Sequence, residues 1–177
     1  MLAAFISSDP LATSWRELYV MLGTSSATLV GLLFVAMSLH LAEISNEEVF
    51  RLRAEYTTII LVGTLLEGIA ILMPQPIQVL GAELLAVNCW GLSFPLTLLS
   101  KTLKISGARS RGGFSVRRAG FFIAGYCVGI VGAAAVAAGS DLGMYGVTVS
   151  FTTLLIASIW NGLMIIQGIG REEKNRS

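Results

Sequence analysis

Charge is what this sequence has least of. Asp, Glu, Lys and Arg make up 13% of the 177 residues, hydrophobic residues 54%, and the mean hydropathy is +0.75. A soluble domain carries about 25% charged residues, so a water-covered globular fold is excluded. Disorder is excluded as well, since its signature is low hydrophobicity with high net charge. The single histidine, His40, cannot supply both a catalytic triad and a multi-histidine metal site. It stands near the end of a long apolar run, where it suits a helix C-terminus. The two cysteines, Cys89 and Cys127, form no CxxC pair or Cys/His cluster and read as buried thiols acting as small apolar residues. No Walker loop, Rossmann fingerprint, HExxH or nucleophile elbow occurs. The chain is therefore expected not to be an enzyme, and no metal or cofactor is implied.

Long uncharged runs are what the sequence has instead. None of the 12 Lys and Arg residues falls between Tyr19 and Arg51, between Ala54 and Ser100, or between Ala119 and Gly170. The apolar windows in these gaps cover about 17–41, 55–73, 77–100, 119–139 and 142–168. Each approaches or exceeds the roughly 20 residues that an α-helix needs to cross a hydrocarbon core of about 30 Å. The runs are continuous and lack the alternation of barrel strands. The expected fold is all-α: a polytopic integral membrane protein, one membrane domain built as a bundle of five transmembrane helices.

Local signals punctuate the runs. Ser14 with Glu17, and Ser45 with Glu48, have the spacing of capping boxes before the first and second spans, the latter with Glu47 and Arg51 at i,i+4. Pro74 and Pro76 mark a tight connection, Gly139-Ser140-Asp141 a turn, Gly168 and Gly170 the end of the fifth span, and Pro95 a kink in the third. An odd number of spans puts the termini on opposite sides. Eleven of the 12 basic residues then share one side, and the other has only Arg16. The positive-inside rule makes the basic side cytoplasmic and the N-terminus external. Trp15 and Tyr19 stand where an aromatic belt would lie, and Met1 to Ala12 read as a segment along the outer interface.

Any chemistry is expected at the polar residues within the spans. Glu67 and Glu83 are the two acids well inside them, each eight residues from Gln75. An antiparallel helix pair puts both at one depth, about 10 Å below the outer boundary. Facing each other they would share a proton or hold a cation, and intramembrane carboxyls by default mark an ion or proton path. The competing reading is a neutral acid bonded to a neighbouring helix: Glu67 shares a helical face with Gly63 and Ala70, and Glu83 shares one with Val79, Ala86 and Trp90. Asn88 and Asn161, with Thr152, Thr153 and Ser158, read as interhelical hydrogen-bond partners. Trp90 and Trp160 lie far from the span ends and are expected inside the bundle or at a subunit contact.

Small residues recur every four positions at Gly125, Gly129, Ala133 and Ala137, and at Gly23, Ala27 and Gly31, giving two smooth faces for close helix approach, within the chain or between copies. Between the third and fourth spans, 101–118 holds Lys101, Lys104, Arg109, Arg111, Arg117 and Arg118, no acid, and Gly112-Gly113. Anionic lipid headgroups are the expected contact of these cations. Nucleic acid is not, because Phe114 alone makes no stacking platform.

The run Gly23-Thr24-Ser25-Ser26-Ala27-Thr28-Leu29-Val30-Gly31-Leu32-Leu33-Phe34-Val35-Ala36-Met37-Ser38-Leu39 resembles a stretch of small bacterial membrane proteins labelled modulators of the FtsH protease. That resemblance, confined to one helix, implies a bacterial cytoplasmic-membrane protein that touches membrane-protein quality control, and it carries over no catalytic residue. Two functions follow from the sequence. The first is a homo-oligomeric membrane channel or ion-conducting protein. The other is a non-catalytic regulator or assembly partner of another membrane protein, such as a membrane protease.

Overall fold

In a bilayer an apolar run has no water to satisfy its peptide groups, so each folds into a helix that bonds to itself. The computed structural model describes residues 10–39, 48–105 and 116–176. The expectations placed on His40, Ser45, Glu47, Arg109, Arg111 and Gly112-Gly113 lie outside them. The described residues form five α-helices and no strand: α1 (Pro10–Leu39), α2 (Glu48–Leu72), α3 (Ile77–Ile105), α4 (Val116–Ala137) and α5 (Leu142–Arg176). Their membrane-length segments are Trp15–Leu39, Ala54–Leu72, Ile77–Thr97, Gly120–Ala137 and Leu142–Met164. The chain is an all-helical membrane protein.

Four of the helices close a ring. α3 packs along α4 and α4 along α5, and α2 completes the circuit by touching both α5 and α3. α1 lies outside the ring, along α2 with its edge on α5. The bundle has an apolar exterior, with Met21, Phe34, Val131, Val149, Ile156 and Leu163 all exposed. Its interior holds Ser26, Thr57, Thr64, Glu67, Asn88, Ser150, Ser158 and Asn161, each fully buried. Lipid tails are as apolar as leucine, so lipid gives little reason to hide a Leu and every reason to hide an amide or hydroxyl. Between the polar groups lie Tyr19, Leu61, Leu84, Val136, Val147 and Phe151 in one cluster, and Ile60, Phe122, Tyr126 and Leu154 in another.

Glycine sets the tightest approach. A Cβ added to Gly143 would lie 2.5 Å from the Gly132 carbonyl oxygen and 2.6 Å from the Val136 nitrogen, and one on Gly132 would lie 2.7 Å from the Val147 nitrogen. α4 and α5 therefore meet backbone to backbone. The Gly125, Gly129, Ala133 and Ala137 stripe is used within the chain: Gly125 meets Leu154, Gly129 meets Asn88 and Ser150, Ala133 is fully buried, and Ala137 packs on Gly81 of α3. The α1 stripe splits. Gly23 faces Gly68 of α2, whose added Cβ would be 3.3 Å from the Gly23 Cα, whereas Ala27 is exposed and Gly31 has no neighbour within 4 Å.

The α4–α5 turn closes on Gly139, at φ +80°, with Ser140 N–H donating to the Ala135 carbonyl at 2.9 Å and Gly139 N–H to the Val136 carbonyl at 2.8 Å. This paired-bond stop needs a left-handed residue. Gly139→Ala is expected to cost about 1 kcal/mol, read as a lowered midpoint when the micelle-solubilised protein is unfolded with SDS; an unchanged midpoint would contradict the left-handed turn.

Several local expectations are corrected. Ser14 lies inside α1, which already includes Pro10, so it is no cap. Gly168 and Gly170 do not end α5, which continues to Arg176 because the following Arg, Glu and Lys residues are good helix formers. The kink expected at Pro95 is not among these corrections: α3 runs on through Pro95 to Ile105, without the hydrogen bond that proline cannot donate. Cys89 and Cys127 are on the exterior of the bundle. Trp90 and Trp160 also face outward, at 47% and 59% exposure, so of their two expected places it is the bundle interior that is corrected. Tyr19, in contrast, is no belt residue: it is fully buried, edge-on to Phe151 at a centroid distance of 6.0 Å.

Candidate functional site

Glu67 sits on the face of α2 that also carries Thr57, Thr64 and Gly68, the side turned into the ring. It is 1% exposed. Across from it on α3, the Asn88 side-chain amide donates at 2.6 Å to Glu67 Oε1 and at 2.9 Å to the Leu84 carbonyl of its own helix. The second bond fixes which end of the amide is nitrogen, because a carbonyl oxygen only accepts. Both amide protons are then used. Glu67 Oε2 and Asn88 Oδ1 are buried with no hydrogen-bond partner. An uncompensated buried polar atom costs about 1–3 kcal/mol, so an interior that keeps one on each member of a bonded pair requires a reason.

All five helices contribute to the surroundings. Asn88 Oδ1 points at Gly129 of α4, where any Cβ would overlap it, and Ser150 Oγ of α5 would be 2.5 Å from that same Cβ. Ser150 gives its proton to the Gly125 carbonyl at 2.8 Å. Gly68, beside the acid, lets α1 approach through Gly23 and lies against the Phe151 ring of α5. Tyr19 on α1 and Tyr126 on α4 lie within electrostatic reach of Glu67. Tyr126 packs on Gly91 of α3, where an added Cβ would overlap its ring.

Further polar pairs extend the site along the interior. Tyr19 Oη and Thr148 Oγ1 are 2.8 Å apart, towards the end with the short turns. In the other direction Ser26 Oγ lies 2.7 Å from Thr64 Oγ1, and the Asn161 side-chain amide donates to Thr57 Oγ1 at 2.6 Å. From Thr57 to Glu67 is ten residues, about 15 Å of helix. These pairs make a polar seam inside one chain.

Glu83 is not part of it. It is exposed, on the same outer face of α3 as Val79, Ala86 and Trp90, and its Oε2 accepts at 2.8 Å from the Gln75 side-chain amide. Gln75 also donates to the Ala70 carbonyl at 3.0 Å, so Glu83 helps to lock the α2–α3 turn. The matched depth of the two acids does not bring them together. Five residues separate Glu83 from Asn88, a rotation of about 140°, and it is the amide that turns inward. The sequence signal for this was the α3 face of Gly81, Leu84, Asn88 and Gly91, two glycines, a leucine and one amide at helical spacing. Gly143 and Gly146, which seat α5 on α4, also stood three apart in the sequence.

Asn161 joins α5 to α2 as an interhelical bond, and Ser158 bonds its own helix at the Leu154 carbonyl; Thr152 is exposed. Lys101 and Lys104 belong to the last turns of α3, and Arg117 and Arg118 to the first turn of α4. They share one end of the bundle, opposite the Pro74 and Gly139 turns. Among the described residues, no three His, Cys, Asp or Glu side chains come together as a metal site would require. Searches of protein-family models, of curated proteins and of solved structures find no match to this chain.

Proposed function

We propose that the protein is an ion-conducting membrane protein, without enzymatic activity, whose path runs through the interior of each subunit along the seam from Tyr19 to Asn161, with Glu67 as its charged station. The observation that carries this is a fully buried carboxyl held by one oxygen only. A carboxyl needed only for packing would be bonded at both oxygens or replaced by an apolar side chain; one that exchanges an ion keeps an oxygen free. In a homo-oligomer such subunits set identical paths side by side and do not build one pore on the axis, because Glu67 is enclosed by its own chain. The basic end of the bundle faces the cytoplasm of a bacterial cell and contacts anionic headgroups through Lys101, Lys104, Arg109, Arg111, Arg117 and Arg118. The purified protein in liposomes is expected to conduct above empty vesicles. Glu67→Gln should abolish that flux and Glu83→Gln should leave it unchanged; wild-type flux equal to that of empty vesicles would remove this reading.

A regulator or assembly partner is the second reading, and α1 favours it. Thr24, Ala27, Thr28, Gly31 and Ser38 share its outward face. Each of the three hydroxyls on that face already donates to its own helix, Thr24 to Val20, Thr28 to Thr24 and Ser38 to Val35. Such a face suits a second helix more than lipid. Selective co-purification of another membrane protein, lost on Gly31→Leu, is the expected result under this reading; recovery of this chain alone from gently solubilised native membranes would count against it.

A further inference from the structure

The groups around Glu67 discriminate between occupants. Its Oε1 is met by an N–H donor, the Asn88 amide, whose position is fixed by the second bond to the Leu84 carbonyl. A metal cation at this oxygen would face the positive end of an amide dipole. Hard cations take six or more oxygen ligands, and the oxygens here do not converge on the carboxyl. Asn88 Oδ1 is turned away from the carboxyl towards Gly129, and Ser150 Oγ lies on that same far side. Of the two carboxyl oxygens only Oε2 is open, since Oε1 takes the Asn88 amide, and one oxygen can hold a proton.

We propose that the ion handled at Glu67 is a proton and not a metal cation; this rests on the conduction reading above and names its substrate. A proton from water forms the O–H bond at Oε2 and converts carboxylate to carboxylic acid. Release breaks that bond and returns the proton to water. Oε1 accepts from Asn88 in both states, so the helices need not part during the cycle.

Among the described residues, the titratable groups within electrostatic reach of Glu67 are Tyr19 from α1 and Tyr126 from α4. α3 presents the Asn88 amide, and α5 presents Ser150 and Phe151. No Lys or Arg lies within the spans of α2 to α5 to pair with a permanent carboxylate. On either side along the seam stand hydroxyls, Tyr19 with Thr148 and Ser26 with Thr64, which both donate and accept and so suit proton transfer.

The test uses the full chain in liposomes of phosphatidylcholine and phosphatidylglycerol, with a potassium diffusion potential set by valinomycin and internal pH read by a trapped dye. Tracer sodium and rubidium uptake is measured down gradients without valinomycin. The expected result is a voltage-driven pH change that Glu67→Gln reduces to the rate of empty liposomes, with tracer uptake at the empty-liposome level throughout. Sodium or rubidium uptake that Glu67→Gln removes, without a pH change, would overturn the proton and leave conduction standing.

Infrared difference spectra between acid and alkaline pH separate occupancy from transport. A carboxylic C=O band that appears with acid and vanishes in Glu67→Gln is expected; absence of that band in a protein that elutes as a single folded species would overturn the proposal. The band without any flux would support the proton at Glu67 and overturn conduction. Gln retains an acceptor for Asn88, so the variant is expected to fold.

Discussion

Gly143→Ala should destabilise the protein by about 3 kcal/mol or more, a large effect for one methyl group. The added carbon would lie 2.5 Å from the Gly132 carbonyl oxygen, 2.6 Å from the Val136 nitrogen and 2.7 Å from Val136 Cγ2. Two of these three are backbone atoms of α4, so no rotamer change relieves the clash and the helices must separate. Separation pulls Ser150 from the Gly125 carbonyl and opens the α4–α5 seam on which Gly129 and Asn88 depend. Gly31→Ala is the matched control. It adds the same methyl to α1 where no atom lies within 4 Å, and relieves the helix of a flexible residue, so it should stabilise by up to about 1 kcal/mol. Reversible SDS unfolding of both variants checks the contrast. Equal midpoints would mean that α4 and α5 are not in backbone contact.

Asn88→Leu carries the second large effect. It removes the donor to Glu67 Oε1 and leaves the carboxyl, 1% exposed, with no hydrogen-bond partner at either oxygen. Breaking one side of a buried polar pair costs about 2–4 kcal/mol, most of it the desolvation of the group left behind. Removing both sides is far cheaper, so Glu67→Leu/Asn88→Leu should regain most of the lost stability, with a coupling energy above about 1 kcal/mol in a double-mutant cycle. A single Asn88→Leu variant as stable as the wild type would show that the pair does not hold α2 to α3. The double variant is also expected to be folded and silent in flux assays, which separates the stability of the pair from its use.

The five spans were legible because the signal is a sum over some twenty residues and depends on no single position. The turns at Pro74–Pro76 and Gly139 were legible for a different reason: proline removes a donor, and glycine alone enters the left-handed region without strain. What faces what was harder. In water an amphipathic helix announces its buried side by apolar residues, but here both the lipid face and the packed face are apolar, and the distinction lies in residue size and in rare polar atoms. Glu67 and Glu83 looked equivalent from their spacing about Gln75, yet one is enclosed and the other is exposed and bonded to that same Gln75. Asn88 read as a simple helix-to-helix bond, and its acceptor is the acid itself. The cysteines were expected inside on the strength of apolarity, a property that in lipid does not sort residues, and the outward tryptophans leave only the second of their two expected places, a subunit contact.

The measurement closest to the central claim, that each subunit contains a complete path, is the fraction of flux-competent vesicles as the protein is diluted until most vesicles hold one chain or none. A path inside the subunit predicts that this fraction follows the probability of a vesicle holding at least one chain, with Glu67→Gln inactive at every dilution. A dependence that requires two or more chains in the same vesicle would contradict it, and would place the path between subunits, where Glu67 does not lie.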